Sequence, residues 1–445
     1  MAHTCRCLLG KRSDMTLLGN IPALIKVGAV FGLMMLGIRK KLPLGHTFLI
    51  GAVLLGLLFS QRPTEIFKSI IGAVTDPKTL ALAVIVGLIL LLSSSMETAG
   101  QMQRLLNKFR GLVASSRLNL IVFPALIGLL PMPGGAVFSA PMVKELGAGS
   151  NLKEEQLSFI NYWFRHIWEY WWPPYPGVLL GTLMADLNLM LFIFCMMPLT
   201  WVAIYLGGRP FRTASLGTSN KKITERPPFG PFIKELLPIL IVIIPGVGLG
   251  VFFAWIFPDL PISKEIGLIP SLFGAIGWIW HANSFSAARV KKVLKNLQGI
   301  RMVYMIFTIL IFKGILTDSQ AVGAIGSELT LLKVPLFLIA VTLPFIAGVV
   351  TGLTIAVVGS TFPILIPLIH SHGQSQFMLI FIMLALVSGF AGVLLSPLHL
   401  CMILSNQYFK AAAGAVYRLL WRPCVYLIVF SMAYFWLLHG LESVL

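Results

Sequence analysis

Three ionisable residues, Arg165, His166 and Glu169, lie close together in a segment that is otherwise apolar and aromatic. An Arg or Glu facing lipid near mid-membrane costs about 2.5–3.5 kcal/mol, so this face is expected to turn toward protein or water. A guanidinium can grip a carboxylate through two parallel hydrogen bonds, which makes Arg165 a candidate substrate anchor. The alternative is an internal pair, because Arg165 and Glu169 are four residues apart and would share a helix face. His166 and Glu169 are candidates for ion coupling.

A second polar group follows Pro397. His399 lies two residues beyond that proline and Asn406 nine residues beyond it. A buried neutral histidine bonded to a carbonyl is one interpretation of His399, and a proton-coupling group is the other. Asn406 is included with His399 as a candidate for ion coupling.

The elements that must hold these residues are membrane helices. Hydrophobic residues make up 57% of the 445 residues and charged residues 11%, against roughly 25% charged in soluble domains. The net charge of +18 would raise nucleic acid as a partner in a soluble protein. Here the basic residues separate apolar spans, as the positive-inside rule requires, so the expected partner is the lipid bilayer and not nucleic acid.

Catalytic motifs of three common kinds are missing from the sequence: His-Glu-x-x-His, Gly-x-Ser-x-Gly and the phosphate-binding Gly-x-x-x-x-Gly-Lys-Ser/Thr. The first two would indicate a zinc protease or a serine hydrolase, and the third an ATP-driven pump. The chain is therefore not expected to be an enzyme, and no cofactor or metal ligand is predicted.

Ten segments are long enough to span a hydrocarbon core, which takes about 20 residues. Two of them, 156–186 and 376–406, carry prolines in the middle and are predicted to be broken helices. Two further apolar regions, 118–147 and 334–370, are interrupted by Pro-Met-Pro-Gly-Gly and Thr-Gly-Leu-Thr. If both are re-entrant hairpins, 22 Lys and Arg residues fall on one side of the membrane and 8 on the other. That bias favours the re-entrant arrangement.

The predicted fold is an all-α polytopic membrane protein with about ten transmembrane helices and two re-entrant hairpins, in two inverted five-helix repeats. The repeats are residues 15–207 and 232–445, joined by a cytoplasmic linker, 208–231. Five spans per repeat is an odd number, so the second repeat is inserted upside down. Residues 1–14 are interpreted as a tail or a start-site artefact, because Met15 directly precedes the first apolar run.

Inverted repeats with paired broken helices are typical of secondary transporters. Helix N-termini at such breaks suit an anion, and helix C-termini suit Na⁺ or a protonated group. For Ser139 and Thr361 the alternative is a hydrogen bond to a carbonyl of their own helix. The candidate binding residues near the hairpin tips are Pro133, Gly134, Gly135, Ser139, Thr351, Gly352, Thr354, Ser360 and Thr361.

Residues 131–142, 161–177 and 396–409 resemble the signatures of the integral-membrane domain-of-unknown-function family 401, and the similarity extends from about Met15 to the C-terminus. That family is placed in the ion transporter superfamily, with carriers of dicarboxylates, citrate, gluconate, arsenite and Na⁺/H⁺. The resemblance implies an inverted-repeat carrier with two hairpins, and by analogy a homodimer. The Ser-Asn-Thr tip motif of dicarboxylate carriers is absent here.

Together these features predict a multi-pass protein of the cell (inner) membrane that transports a small anionic solute. The expected substrate is an organic carboxylate, coupled to Na⁺ or H⁺. The alternatives are a cation/proton antiporter without an organic substrate, a channel, and a membrane-embedded enzyme using His166 or His399.

Overall fold

The structure is a computed structural model and describes residues 21–113, 115–132, 134–148, 150–209, 228–257, 266–295 and 297–442. Every regular element in these ranges is helical. The predicted tail, 1–14, and residues 210–227 of the predicted linker lie outside the described residues.

The described part of the first half forms ten helices. They are α1 (Ala23–Arg39), α2 (Leu44–Leu58), α3 (Pro63–Thr75), α4 (Pro77–Thr98), α5 (Gln101–Phe109), α6 (Ser116–Gly128), α7 (Ala136–Gly147), α8 (Glu154–Arg165), α9 (Pro176–Met184) and α10 (Leu189–Gly207).

The described part of the second half forms ten α-helices and a short 3-10 helix, Ser375–Phe377. The α-helices are α11 (Gly230–Ile256), α12 (Leu268–Ala282), α13 (Ala287–Leu294), α14 (Leu297–Asp318), α15 (Ala321–Leu331), α16 (Leu336–Thr351), α17 (Thr354–Ser371), α18 (Met378–Leu394), α19 (Leu400–Phe409) and α20 (Ala413–Glu442).

Seven helical segments among the described residues are long and apolar enough to cross a membrane. They are Pro77–Thr98, Leu189–Gly207, Gly230–Ile256, Ala287–Asp318, Thr354–Ser371, Ser375–Leu394 and Ala413–Leu441. Leu44–Leu58, Ser116–Gly128, Leu268–Ala282 and Leu336–Thr351 are shorter apolar helices. The predicted class, an all-α polytopic membrane protein, is confirmed. The count of ten spans and the inverted repeats stay predictions.

The helices of the two halves follow the same order. In each half two apolar helices precede a short one, a helix of 22 residues (α4 and α14), another short one, a hairpin pair, a broken pair and a closing helix. The halves also interlock. Helix α9 packs along α17 of the second hairpin, and α19 packs against α7 of the first hairpin. The second half-helix of each broken segment thus lies against the hairpin of the other half, which brings all four interruptions together.

The first broken segment is interrupted earlier than its prolines predict. Helix α8 ends at Arg165 and α9 begins at Pro176, whereas the sequence placed the break at Pro173, with Arg165 two turns upstream. Arg165 is instead the last residue of α8. The second broken segment is interrupted between α18 and α19, and Pro397 lies in the gap.

Candidate functional site

Both hairpin tips contain a glycine with left-handed backbone, Gly134 with φ 74° and Gly352 with φ 65°. This conformation suits glycine because a side chain would be strained there. A Cβ added at Gly352 would lie 2.9 Å from Ser396 Oγ and 3.1 Å from the His399 backbone nitrogen. The second tip therefore packs directly against the second break.

The first tip packs against the first break. A Cβ added at Gly135 would collide with Arg165 Nη2 and lie 2.9 Å from its Nε. The two breaks also meet, since His166 Nε2 and His399 Nε2 are 3.0 Å apart. These contacts define the central site, by which we mean Gly135, Arg165, His166, Glu169, Thr354, His399 and Cys401.

Arg165 is 2% exposed and has one firm partner, the carbonyl oxygen of Met132, to which Nη2 donates. Its Nη1 lies 3.3 Å from His166 Nε2. Within the described residues its Nε has no hydrogen-bond partner. A buried guanidinium N–H without an acceptor is costly, so this edge of Arg165 is suited to receive an oxygen of a bound anion.

The internal Arg165–Glu169 pair proposed as an alternative is not among the ion pairs formed by the described residues. Its premise was one continuous helix, and α8 ends at Arg165. Glu169 instead accepts a hydrogen bond from Thr354 Oγ1 at 2.6 Å. Thr354 is the first residue of α17, whose N-terminal dipole stabilises a carboxylate.

The tautomers of the two histidines follow from their partners. His166 Nδ1 lies 2.6 Å from the Tyr162 carbonyl oxygen, which can only accept, so Nδ1 carries the hydrogen. Neutral His166 therefore presents a lone pair at Nε2, and we assign the hydrogen of the contact to His399 Nε2. His399 Nδ1 is then a lone pair, for which the described residues supply no donor.

The aromatic residues of the first break form hydrogen bonds to backbone carbonyls at the C-terminal end of α6. Trp168 Nε1 donates to the Ala125 carbonyl at 2.8 Å and Trp172 Nε1 to the Leu129 carbonyl at 3.0 Å. Tyr175 Oη donates in the same way to the Gly128 carbonyl at 2.7 Å. The last carbonyls of a helix lack partners within it, so these side chains stabilise the end of α6. They also explain why the chain leaves α8 before reaching Pro173.

The predicted hydroxyl residues have different surroundings. Ser360 Oγ and Thr361 Oγ1 donate to the Ala356 and Val357 carbonyls of their own helix. For Thr361 this is the alternative interpretation given above, a hydrogen bond within its own helix. Within the described part of the chain, Thr351 Oγ1 makes long local contacts of 3.4 Å with Leu353.

Asn161 of α8 connects three elements at a buried polar junction. Its Nδ2 donates to Ser405 Oγ of α19 at 2.8 Å and to the Ala136 carbonyl, and Ser139 Oγ donates to its Oδ1 at 2.6 Å. Asn406 points elsewhere, and its Oδ1 accepts from Ser158 Oγ at 2.6 Å. Ser139 and Asn406 thus have partners that fix helix packing. Pro133 lies outside the described residues.

His166, His399 and Cys401 bring one ligand atom each to within 4.8 Å of one another. Nitrogen and sulfur donors of this kind suit a soft transition metal. The Arg165 guanidinium, however, lies 3.3 Å from the same His166 Nε2 and repels a cation there. We therefore assign no metal ligand in this cluster.

A cavity of about 520 Å³ lies between α3, α4, α9 and α14. Leu180 and Met184 of α9 line it, and α9 begins at Pro176 beside the first break. At 1.5 Å per residue, this nine-residue helix is roughly 13 Å long. The cavity therefore lies about one short helix from the central site. Its charged lining residues are Lys68, Lys78, Lys313, Asp76 and Asp318.

The fold resembles that of a membrane transporter of known structure. The crystal structure of the Alcanivorax borkumensis YdaH transporter, a protein of unusual topology, matches with a TM-score of 0.60 at 14% identity. The match covers 84% of this chain and 88% of that one. A search of curated proteins found no match. The chain is thus a multi-pass membrane protein with a transporter-like fold.

The family is also shown by sequence. The model of a protein family of unknown function, DUF401, matches residues 24–438. The chain belongs to this family, as its resemblance predicted.

Sequence reasoning missed Cys401, Asn161 and Ser405 as neighbours of the central site. Cys401 is not among the candidate residues that the sequence indicated. The signal that could have found it is its spacing, two residues after His399, in the first turn after a break.

Proposed function

We propose that this protein is a secondary active transporter of a small anionic solute, of the organic carboxylate class, coupled to Na⁺ or H⁺ in the inner cell membrane. The observation that carries the proposal is Arg165, buried where the hairpin tip and both breaks converge, with its Nε–H lacking an acceptor in the described part of the chain.

Hydrogen-bond donors within the central site, and not an excess of positive charge, support an anion. The cation of Arg165 is balanced by the carboxylate of Glu169, and both histidines have partners expected of neutral rings. Taking an ion out of water costs several kcal/mol unless hydrogen bonds and opposite charge compensate. An anionic ligand would gain the free guanidinium edge and the N-terminal ends of α7, α17 and α19, each of which begins near this point.

The experiment that tests the proposal begins with thermal-shift measurements on the purified protein. A panel of carboxylates and oxyanions is screened with and without Na⁺, because a ligand that binds only the folded state raises the melting temperature. Any stabilising compound is then tested for saturable uptake and counterflow in proteoliposomes, which separates a carrier from a channel.

Arg165→Lys is the decisive variant, because lysine keeps the charge and loses the planar fork. Apparent affinity for the stabilising anion should fall while the protein still folds. The matched control is Arg289→Lys on exposed α13, which should behave as wild type. Unchanged affinity in Arg165→Lys, or full recovery in the double variant Arg165→Gln with Glu169→Gln, would reject Arg165 as the anchor.

Cation/proton exchange without an organic substrate is the second candidate function. Glu169 favours it, because a partly buried carboxylate in the first break, 3.7 Å from His166 Nε2, resembles a cation or proton site. Arg165 opposes it. Proton release driven by a Na⁺ or K⁺ gradient in vesicles, with no anion present, would favour this alternative.

A further inference from the structure

We propose that His166 and His399 act as one proton-binding unit that takes up a proton together with the anion, so that the coupling ion is H⁺. This inference rests on the proposed function, because it assigns the coupling partner of the same anion site. It depends on the 3.0 Å contact between the two Nε2 atoms, which joins the first break to the second.

The contact permits one hydrogen between the rings. His166 Nδ1 donates to the Tyr162 carbonyl, so the hydrogen between the Nε2 atoms belongs to His399. The Nη1 group of Arg165, 3.3 Å from His166 Nε2, is also a donor aimed at that lone pair. The Arg165 donor therefore requires the same tautomer of His166 as the Tyr162 carbonyl does, with an unprotonated Nε2.

The remaining basic atom is His399 Nδ1. It is buried, its residue is 5% exposed, and no described residue donates to it. A proton from a hydronium ion adds to this lone pair, forms one N–H bond and leaves water behind. The Nε2–H···Nε2 bond is kept and becomes charge-assisted, which strengthens it. One positive charge is then shared between two imidazole rings.

Charges around the pair decide when that proton binds. The positive charge of Arg165 opposes protonation of the pair, and the negative charge of Glu169 favours it. Because these two charges offset each other, a site without a bound anion is closest to neutral when the histidine pair is unprotonated. An anion at the Arg165 edge adds a negative charge, and a proton on the pair removes it. Each ligand therefore raises the affinity of the site for the other, to the same extent in both directions. The other titratable groups beside the pair, among the described residues, are the Cys401 thiol and the Tyr162 phenol, whose ring packs against both imidazoles.

Na⁺ fits this cluster less well than a proton does. Hard cations prefer oxygen ligands such as carboxylates, carbonyls and water. The atoms that meet between the two breaks are imidazole nitrogens, with a thiol and a guanidinium beside them. The nearby Glu169 carboxylate is bonded to Thr354, and its Oε2 lies 3.7 Å from His166 Nε2.

The first arm of the test needs no substrate. In ¹⁵N-histidine-labelled protein, magnetic resonance should detect N–N scalar coupling across the His166–His399 hydrogen bond. Acidification should protonate the two rings as one unit. The resonances are assigned with His166→Gln and His399→Gln. Two rings that titrate independently, without coupling between them, would overturn the proposal whatever the substrate is.

The second arm measures proton uptake with succinate as the probe, in weakly buffered protein solution containing a pH indicator. Wild type should take up about one proton per bound succinate, through the linkage between protonation and binding. His399→Gln keeps an amide donor toward His166 but lacks a basic nitrogen, so its uptake should fall to none. The control His370→Gln, at an exposed residue bonded to Ser375, should match wild type.

The outcomes separate the two proposals. Succinate binding, followed by thermal shift, without proton uptake would overturn the proton assignment and leave the anion carrier standing. Absence of binding by succinate and by the other carboxylates would count against the proposed function, and the resonance arm would then decide the histidine pair alone.

Discussion

Replacing Gly135 by alanine tests the contact between the first hairpin tip and the substrate anchor. The new methyl group would occupy the position of Arg165 Nη2 and approach Nε to 2.9 Å and Cζ to 3.0 Å. The guanidinium is buried and bonded to the Met132 carbonyl, so it can move only by losing that bond. A hydrogen bond to a charged group contributes about 1.5–3 kcal/mol, and overpacking costs typically 1–3 kcal/mol.

We therefore expect Gly135→Ala to lower the free energy of unfolding by about 1–3 kcal/mol, the usual cost of overpacking a core. Displacement of the anchor should also weaken anion binding by roughly 10- to 100-fold, since each 1.4 kcal/mol is a factor of ten. Thermal-shift titration with the stabilising anion measures the affinity, and proteoliposome uptake measures transport.

The matched control is Gly248→Ala in α11, where an added Cβ meets nothing within 4 Å. Alanine should be neutral or slightly stabilising there, because it is the better helix former. If Gly135→Ala binds and transports the anion like Gly248→Ala, the contact between Gly135 and Arg165 is not needed for anion binding, and the prediction is wrong.

Three further predictions concern topology and the two breaks. A cysteine at Ala288 should resist an impermeant thiol reagent applied to intact cells, whereas one at Thr64 should be labelled. The reason is that the positive-inside rule places α13 in the cytoplasm, so labelling at position 288 would contradict the predicted topology. Thr354→Val should leave a Glu169 oxygen without its donor and cost about 1–3 kcal/mol of stability, whereas Thr354→Ser should be close to wild type in thermal melts. Trp168→Phe should lose the hydrogen bond to an α6 carbonyl and lower stability by about 1 kcal/mol. Its anion affinity should change less than that of Gly135→Ala. Equal losses of affinity in the two variants would contradict this, because they would mean that Arg165 and the aromatic contacts act as one unit.

The sequence predicted the membrane class because composition and hydropathy respond to the solvent, and lipid leaves a strong signal in both. It predicted interruptions because proline and glycine mark them. It did not predict where α8 ends, since that depends on Trp168 and Trp172 finding carbonyls on α6, a tertiary contact. The alternative interpretation, an internal Arg165–Glu169 pair, assumed a continuous helix and is not found among the described residues because α8 ends at Arg165.

The sequence indicated candidate residues but not their partners. Arg165, His166, Glu169 and His399 were singled out because charged and titratable side chains are costly in apolar segments. Nothing local in the sequence connects His166 with His399, which lies 233 residues away, or with the thiol two residues beyond it. Such proximity follows only from the packing of α19 against α7 and α8.

The separation of these partners along the chain has a consequence for biogenesis. Glu169 meets Thr354 across 185 residues and His166 meets His399 across 233. At about 5–20 residues per second, the ribosome needs roughly ten seconds or more to supply the second half. During that interval the ionisable residues at the end of α8 have none of their later partners and are exposed to the cost of a hydrocarbon environment. The nascent first half is therefore unfavourable in lipid. We expect it to stay associated with the insertion machinery until α17 and α19 have been synthesised.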